Sequence, residues 1–385
     1  MKYCNILSVC NIEIGKTPAR KEKTFWGKGY KWVSIADMKS KYIERTKEEI
    51  TKEAVFETKI KIVPKDTVIM SFKLSIGKVA IAKSELYTNE AIVAFHIIKP
   101  DKLYHTFLYY ALQTIRLCDS SDRAVMGQTL NKRKLSKLFI PLPPLPIQKK
   151  IVAVLDKAQE LIDLRKQQIE KLDELIKSVF YDMFGDPVTN PKNLLKVKIG
   201  DFFDTSSGGT PAKKISEYWM NGDIPWIGSN MCKNEIIRKN DGKFITKLGL
   251  SKSSAKIFPI GTVLVALVGA TIGKTALLDF ETATNQNIAG IIIKDVNIYN
   301  PMFVFFYLQS IYTEFMSIGQ DKFKMANLAF IRNLEIYVVP IKKQNRFVEK
   351  VEKIEADKKL IKQSLHQLEN NYQSLQQRAF KGELF

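Results

Sequence analysis

Two segments of the chain carry apolar residues at steps that alternate between four and three. In residues 148–184 the stripe runs Ile151, Leu155, Ala158, Ile162, Arg165, Ile169, Leu172, Ile176, Val179 and Met183. In residues 341–385 it runs Phe347, Val351, Ile354, Lys358, Ile361, Leu365, Leu368, Tyr372, Leu375 and Ala379. Neither stripe is interrupted by Gly or Pro. A spacing of about 3.5 residues held over roughly five heptads predicts long helices joined along a coiled-coil seam, since a typical globular helix runs only about 8–20 residues. The seam is expected at Ile151, Leu155, Ile162, Ile169, Leu172 and Ile176 of the first helix. In the second it is expected at Val351, Ile354, Ile361, Leu365, Leu368 and Leu375. Arg165 and Lys358 break the stripes at different heptads, and polar seam positions of this kind fix register.

Ahead of each long segment lie about 140 residues of a different pattern. Short β-type runs such as "VIMSF", "KVAIA" and "AIVAFHII" alternate with Gly, Pro, Asn and Asp. One shorter helical stretch is predicted in each part, around 104–118 and 300–316. The two halves repeat one another. "IGKTPAR" is echoed by "GGTPAK", with Thr17 matching Thr210, and "YKWVSIADM" by "IPWIGSNM", with Trp32 matching Trp226. "TNEAIVAF" is echoed by "TNQNIAGI", "FLYYALQ" by "FVFFYLQ", and "PLPIQKKIVAVL" by "PIKKQNRFVEKV". The offset drifts from about 193 and settles at 196, about half the chain, which marks a tandem duplication.

The predicted fold class is therefore α+β: two tandem β-rich domains, each followed by a long helix. The expected divisions are residues 1–147, the first helix 148–184, a linker 185–196, the second domain 197–340 and the second helix 341–385. The linker feeds directly from the end of the first helix into the second domain. This favours helices packed antiparallel, with pseudo-twofold symmetry and one domain at each end of a bar about 55 Å long.

One stretch invites a different reading. "LVGATIGKTA" at 267–276 resembles a phosphate-binding loop, but that loop needs a Gly five positions before its Gly-Lys pair, and Val268 stands there. In the repeat the stretch aligns with "KLSIGKVA", which keeps only Ile-Gly-Lys. A strand–turn–strand shared by both copies is the expected structure, with Lys78 and Lys274 available to nucleic-acid phosphate. A self-contained P-loop NTPase or nuclease with a coiled-coil arm is the alternative.

Composition sharpens the choice. The chain carries a net charge of +20. Residues 1–147 hold 26 Lys and Arg against 14 Asp and Glu, whereas residues 148–184 are balanced at 7 against 7. A uniform Lys bias of the source proteome would spread more evenly, so an acidic polymer is the expected partner. Four scattered cysteines and three histidines offer no metal-ligand spacing, and no cofactor is expected. Free thiols without an export signal point to a reducing cytoplasm, and the longest apolar run is too short to span a bilayer.

Two related but diverged domains on a fixed spacer suit two half-sites on one face of duplex DNA. Candidate contacts in the first domain are Thr17, Arg20, Lys21, Lys23 and Lys28 after the "TP" turn, with Lys78. The loop "MGQTLNKRK" adds Gln128, Thr129, Lys132 and Arg133. In the second domain the candidates are Thr210, Lys213, Lys214 and Lys274, with Gln320, Lys322 and Lys324 from "IGQDKFKMAN". Gln pairs bidentately with adenine and Thr contacts either base type. A turn required by the fold explains the shared Gly-Gln equally well. Trp32 and Trp226 are expected in the core. "PLPPLP" is read as a stiff exit that orients the helix start.

The residues also carry a family likeness over essentially the whole chain. The paired G-x-T-P openings (Gly15 to Pro18 and Gly208 to Pro211), "IPLPPLPIQKKI", "VVPIKKQNRF", "FYDMFGDP" and "QQRAFKGELF" resemble the specificity subunit of type I restriction–modification systems. The resemblance implies two target recognition domains that each read half of a bipartite DNA sequence. It also implies helices that space them and dock two modification (methyltransferase) subunits, with restriction subunits joining the full complex. The acidic residue usual before the junction Gln is replaced by Ile147 and by Lys343. The sequence contains no amino-methylation motif, no complete P-loop and no deaminase signature, so chemistry is expected in the partners and not in this chain.

Overall fold

The computed structural model describes residues 2–73, 75–114, 132–317 and 325–385. Its contacts divide the chain into two compact units, residues 1–166 with 363–385 and residues 167–362. The fold is mixed α+β, with two tandem sheet-rich halves and two long helices.

In the first unit a five-stranded sheet runs in the order Cys10–Ile14, Ile92–Ile97, Val68–Ser71, Val79–Ala82 and Tyr42–Ile43. All its pairs are antiparallel except the last, in which Tyr42 lies beside Ile81 in parallel. Val68–Ser71 and Val79–Ala82 are buried at every residue. One face, with Val68, Met70, Ile81 and Phe95, packs on the helix His105–Thr114; the other, with Ile43, Ile69, Ala80, Ala82 and Ala94, packs under Val33, Met38, Val63 and Leu86. Two covered faces explain why these runs are continuously apolar and do not alternate. A three-stranded sheet, Glu48–Ile50, Trp26–Val33 and Tyr87–Thr88, completes the half.

The second unit repeats this order with Phe203–Ser207, Ile288–Ile293, Val263–Ala266, Thr275–Leu278 and Glu235–Ile237. Its second sheet adds Ile257–Phe258 to the equivalents of the other three. The predicted shorter helix is Pro301–Ser310, continued by Tyr312–Met316.

The long helices are Leu145–Phe184 and Ile341–Lys381. The first starts three residues before the expected 148, because Pro146 fits a first helical turn, where its missing N–H has no partner to lose. The second ends four residues before 385. Every stripe position in both helices is buried or half-buried. Within the first unit, Ile151 and Leu155 share a core with Ala379 and Phe380, and Lys166 pairs with Glu369 at 3.1 Å. Within the second, Ile176, Phe180 and Phe184 share a core with Phe303, Tyr307, Phe347 and Val351. Phe184 and Phe347 meet with ring centroids 5.6 Å apart. Each buried aromatic contributes about 1.5–3 kcal/mol, so these rings anchor both helices to the second unit's core.

Each long helix begins with a buried glutamine whose amide is fully used. Gln148 accepts from the Tyr104 N–H at 2.9 Å and donates to the carbonyls of Lys102 (2.7 Å) and Pro143 (2.8 Å). Gln344 accepts from the Asn300 N–H at 2.9 Å and donates to the carbonyls of Ile298 and Val339, both at 2.8 Å. Each glutamine thus bolts a long helix to the start of the ten-residue helix of its own half.

Lys358, a break in the stripe, is nearly buried and ion-paired with Asp173 and, at 3.2 Å, with Glu355. Burial pushes its ammonium pKa down, but the hydrogen bond to Asp173 and the charge of Glu355 more than offset this, and the net shift is upward from 10.5. A raised folded-state pKa contributes stability that is complete below the unfolded value and fades as pH climbs through the folded one. Lys358→Met leaves the exposed Asp173 in water, so it should change stability by no more than about 1 kcal/mol at neutral pH. Measured against the parent by denaturant titration, the variant should gain relative stability above pH 10.5. A variant that loses ground with rising pH would contradict this assignment.

Candidate nucleic-acid interface

The G-x-T-P openings, the tryptophans and the "TN" turns, far apart in sequence, form one knot in each half. A Cβ at Gly15 would overlap the carbonyl and hydroxyl of Thr88, and one at Gly208 those of Thr284. No side chain fits there, which accounts for both glycines. The next residue's N–H closes the turn: Lys16 donates to the Thr88 carbonyl and Gly209 to the Thr284 carbonyl, each at 2.8 Å. The buried indole N–H of Trp32 then donates to the Lys16 carbonyl at 3.1 Å, and that of Trp226 to the Gly209 carbonyl at 3.0 Å. Both tryptophans are core residues, as their repeat positions predicted.

The threonines latch the turns. Thr17 donates to Glu90, and Thr210 to Gln286 at 2.6 Å. Their hydroxyls are therefore engaged within the fold. Arg20 is engaged too: its guanidinium makes a forked pair with Glu48 at 2.5 and 3.0 Å and stacks 3.8 Å from the Trp26 ring centre. That hydrogen bond raises the guanidinium pKa further above its ordinary value. Lys21, Lys23 and Lys28 are exposed and make no ion pair among the described residues. Lys213 and Lys214 are exposed at the matching place in the second half.

Other predicted contacts fall elsewhere. Lys78 lines a cleft of about 610 Å³ with Lys41, Tyr109 and Gln113, walled by Gln159, Asp163 and Tyr372 of the long helices. It does not join the Arg20 cluster. Lys274 is half-buried and its carbonyl accepts from the Ala266 N–H. Arg133 is exposed on the short helix Lys132–Leu135. Gln128, Thr129, Gln320, Lys322, Lys324 and the side chain of Lys132 lie outside the described residues.

The near-P-loop is a strand–turn–strand. Gly77 (φ 88°) and Gly273 (φ 73°) occupy left-handed conformations that glycine adopts without strain. Their N–H groups donate to Ser71 and Ala266 carbonyls across the turn. Thr275 opens a buried strand and not a helix. A phosphate loop requires a helix start at that threonine, so the stretch lacks the geometry of one.

Sequence reasoning missed a polar knot beside the first cleft. Lys41 pairs with Asp156 of the first long helix at 2.5 Å, Tyr110 donates to the same carboxylate, and the Lys41 ammonium lies 5.0 Å from the Tyr110 ring centre. Burial, then this carboxylate, pushes the Tyr110 phenol above its ordinary range. The repeat keeps a carboxylate at Glu352 but has Phe306 in place of Tyr110, so the phenol–carboxylate hydrogen bond belongs to the first half alone. Only comparing the copies for lost polarity would have flagged it.

A model of the type I restriction modification DNA specificity domain matches residues 1–174 and again 191–370. The chain belongs to this family. As a type I specificity subunit it carries two DNA specificity domains in tandem; it is a non-catalytic DNA-recognition component that assembles with the other subunits of its system. The P-loop enzyme reading finds no support. The MjaIX specificity subunit of Methanocaldococcus jannaschii is 28% identical over 307 residues, 73% of this chain and 70% of that protein. The crystal structure of an S subunit from M. genitalium has a similar fold, with TM-score 0.52, 16% identity, and coverage of 98% of this chain and 96% of that one. A chain from a study of type I complex assembly and conformational transition matches at TM-score 0.64 and 16% identity, covering 100% of this chain and 98% of its own. No helix among the described residues is long and apolar enough to cross a membrane.

Proposed function

We propose that this specificity subunit reads a split, asymmetric duplex target, one half-site per recognition domain. The domains are residues 1–147 and 197–340, joined through the linker 185–196. Residues 148–184 and 341–385 form an antiparallel coiled coil that fixes the half-site separation and docks two modification (methyltransferase) subunits. Restriction subunits join the full complex, and the assembly works in the cytoplasm.

The observation that carries this reading is the repeated knot with divergent surroundings. The Gly, Trp and Thr that build it are the same in both halves, while Arg20, Glu48 and Glu90 in the first face Lys213, Lys243 and Gln286 in the second. One scaffold with different polar groups suits two different base sequences. The antiparallel arrangement is supported within each unit alone. The start of the first helix shares a core with the end of the second, and the end of the first shares a core with the start of the second.

Lys21, Lys23 and Lys28 are assigned to phosphate in the first half-site, and Lys213 and Lys214 in the second. Such contacts supply affinity and position without reading sequence. The test is to co-express the chain with its modification partner and map methylated adenines. Two short specified blocks separated by a fixed unspecified spacer are expected. A continuous target would refute the reading.

A further inference from the structure

We infer that the second recognition domain holds a pocket for a single nucleotide unstacked from its neighbours, and that the first domain has closed its copy of that pocket with its own arginine. The inference rests on the DNA-recognition reading and adds a subsite to it.

The two sites share one framework. Trp26 and Trp32 meet edge to face with centroids 4.9 Å apart, and Trp219 and Trp226 do so at 5.2 Å. The outer indole of each pair donates to an alanine carbonyl of the "TPA" turn, Trp26 to Ala19 at 3.3 Å and Trp219 to Ala212 at 3.4 Å. The residue after each alanine comes next to the rings. In the first domain it is Arg20, whose guanidinium stacks on Trp26 and is clasped by Glu48, the cross-strand neighbour of Trp32. In the second it is Lys213, and the strand residue beside Trp226 is Lys243, whose carbonyl accepts the Trp226 backbone N–H at 3.0 Å.

Replacing the Arg–Glu clasp by two lysines removes both the planar plug and the carboxylate that held it. A pocket of about 330 Å³ is left, lined by Trp219, Trp226, Lys213, Lys243, Asn230 and Asn285. Lys243 pairs with Asp241 at 3.0 Å, and Lys213 has no ion-pair partner among the described residues. Asn285 uses its carbonyl oxygen on the Asn287 N–H at 3.1 Å, and its Nδ2 donates to no described acceptor.

These groups match the parts of a nucleotide. Indole faces stack on a base of any kind, amides meet the polar edge of a base, and ammonium groups meet phosphate. The volume is at the lower end for small-ligand sites and suits one nucleotide. The net positive lining disfavours a cation such as the guanidinium that fills the first copy.

The chain's four tryptophans are these two pairs, so tryptophan emission, excited where the 14 tyrosines absorb little, reports only these sites. The full chain should be titrated with deoxyadenosine monophosphate, with inorganic phosphate, and with duplexes that are fully paired or carry one unpaired base. Quenching by the mononucleotide at millimolar concentration is expected, with none from equal phosphate. The double variant Lys213→Arg, Lys243→Glu transplants the first domain's clasp and should weaken the quench at least five-fold. The reverse variant Arg20→Lys, Glu48→Lys should add a second quenching site, and it decides the matter should the first variant fail to fold. A duplex with an unpaired base that displaces the mononucleotide better than the paired duplex places the ligand in DNA; equal displacement would overturn the unstacked-nucleotide assignment and leave a site for free nucleotide. Equal quenching by phosphate, or an unchanged quench in the clasp variant, would overturn the inference. The mononucleotide readout needs no target duplex and no partner, so it fails independently of the half-site reading.

Discussion

Gln344→Leu is expected to destabilise the second unit by about 4 kcal/mol. The substitution keeps most of the volume but strands three backbone groups, the Asn300 N–H and the carbonyls of Ile298 and Val339. Gln344 is 0% exposed and the leucine fills its place, so the site itself admits no water; Val339 is buried as well, whereas Ile298 is 50% exposed and its carbonyl is the least costly of the three to strand. Each orphaned buried group costs about 1–3 kcal/mol, and the added burial of a leucine side chain offsets only part of the total. For a unit of this size the loss corresponds to a drop of about 10 °C in the melting temperature. Gln148→Leu should act similarly on the first unit, because its three partners are equivalent. Scanning calorimetry with two resolved transitions checks both. A variant that melts within about 2 °C of the parent would show that these amides are not fully desolvated. The expected functional echo is a loss of partner-dependent methylation, since the glutamine ties the long helix to its recognition domain.

Replacing Lys21, Lys23 and Lys28 together with Gln should lower duplex affinity by two to three orders of magnitude at about 0.1 M salt. Each phosphate contact releases counterions and contributes about 0.9 to the slope of log K against log salt, so the slope should fall by about 2.7. The three side chains are exposed and lack ion pairs among the described residues, so folding stability should move by less than about 0.5 kcal/mol. Discrimination between target and mismatched half-sites should change little, since phosphate contacts position and do not specify. Fluorescence anisotropy across a salt series measures slope and affinity together. An unchanged slope would remove these lysines from the DNA surface. Arg20→Gln belongs in the same series as a contrast. Its guanidinium is already held by Glu48 and Trp26, so its loss should leave the salt slope nearly untouched.

Much of this architecture could be read from the chain alone because it depends on local periodicity and on repetition. The four–three stripe gave both long helices, and every position assigned to it is buried or half-buried. The duplication predicted matching halves, and the strand order repeats in both. The near-P-loop was resolved by one comparison, since Lys73 and Val79 in the first copy leave only the turn in common. The candidate contacts were less legible. Thr17, Arg20 and Thr210 have the residue types that grip DNA, yet each spends its polar group on a neighbour in its own half. Residue type reports what a side chain is able to do, and the partner brought to it by the fold decides what remains free.

The sequence by itself determined the helices, the duplication, the basic bias and the family likeness, because these follow from spacing and composition along the chain. Tertiary structure decided which residues share an environment. It joined Gly15, Trp32 and Thr88 into a knot, gave Gln148 and Gln344 their buried acceptors and donors, and showed the indole pair plugged in one half and open in the other. Hydrogen bonding and desolvation act over a few ångströms in space, whereas most of these partners are separated by tens of residues in sequence, so no local pattern encodes them.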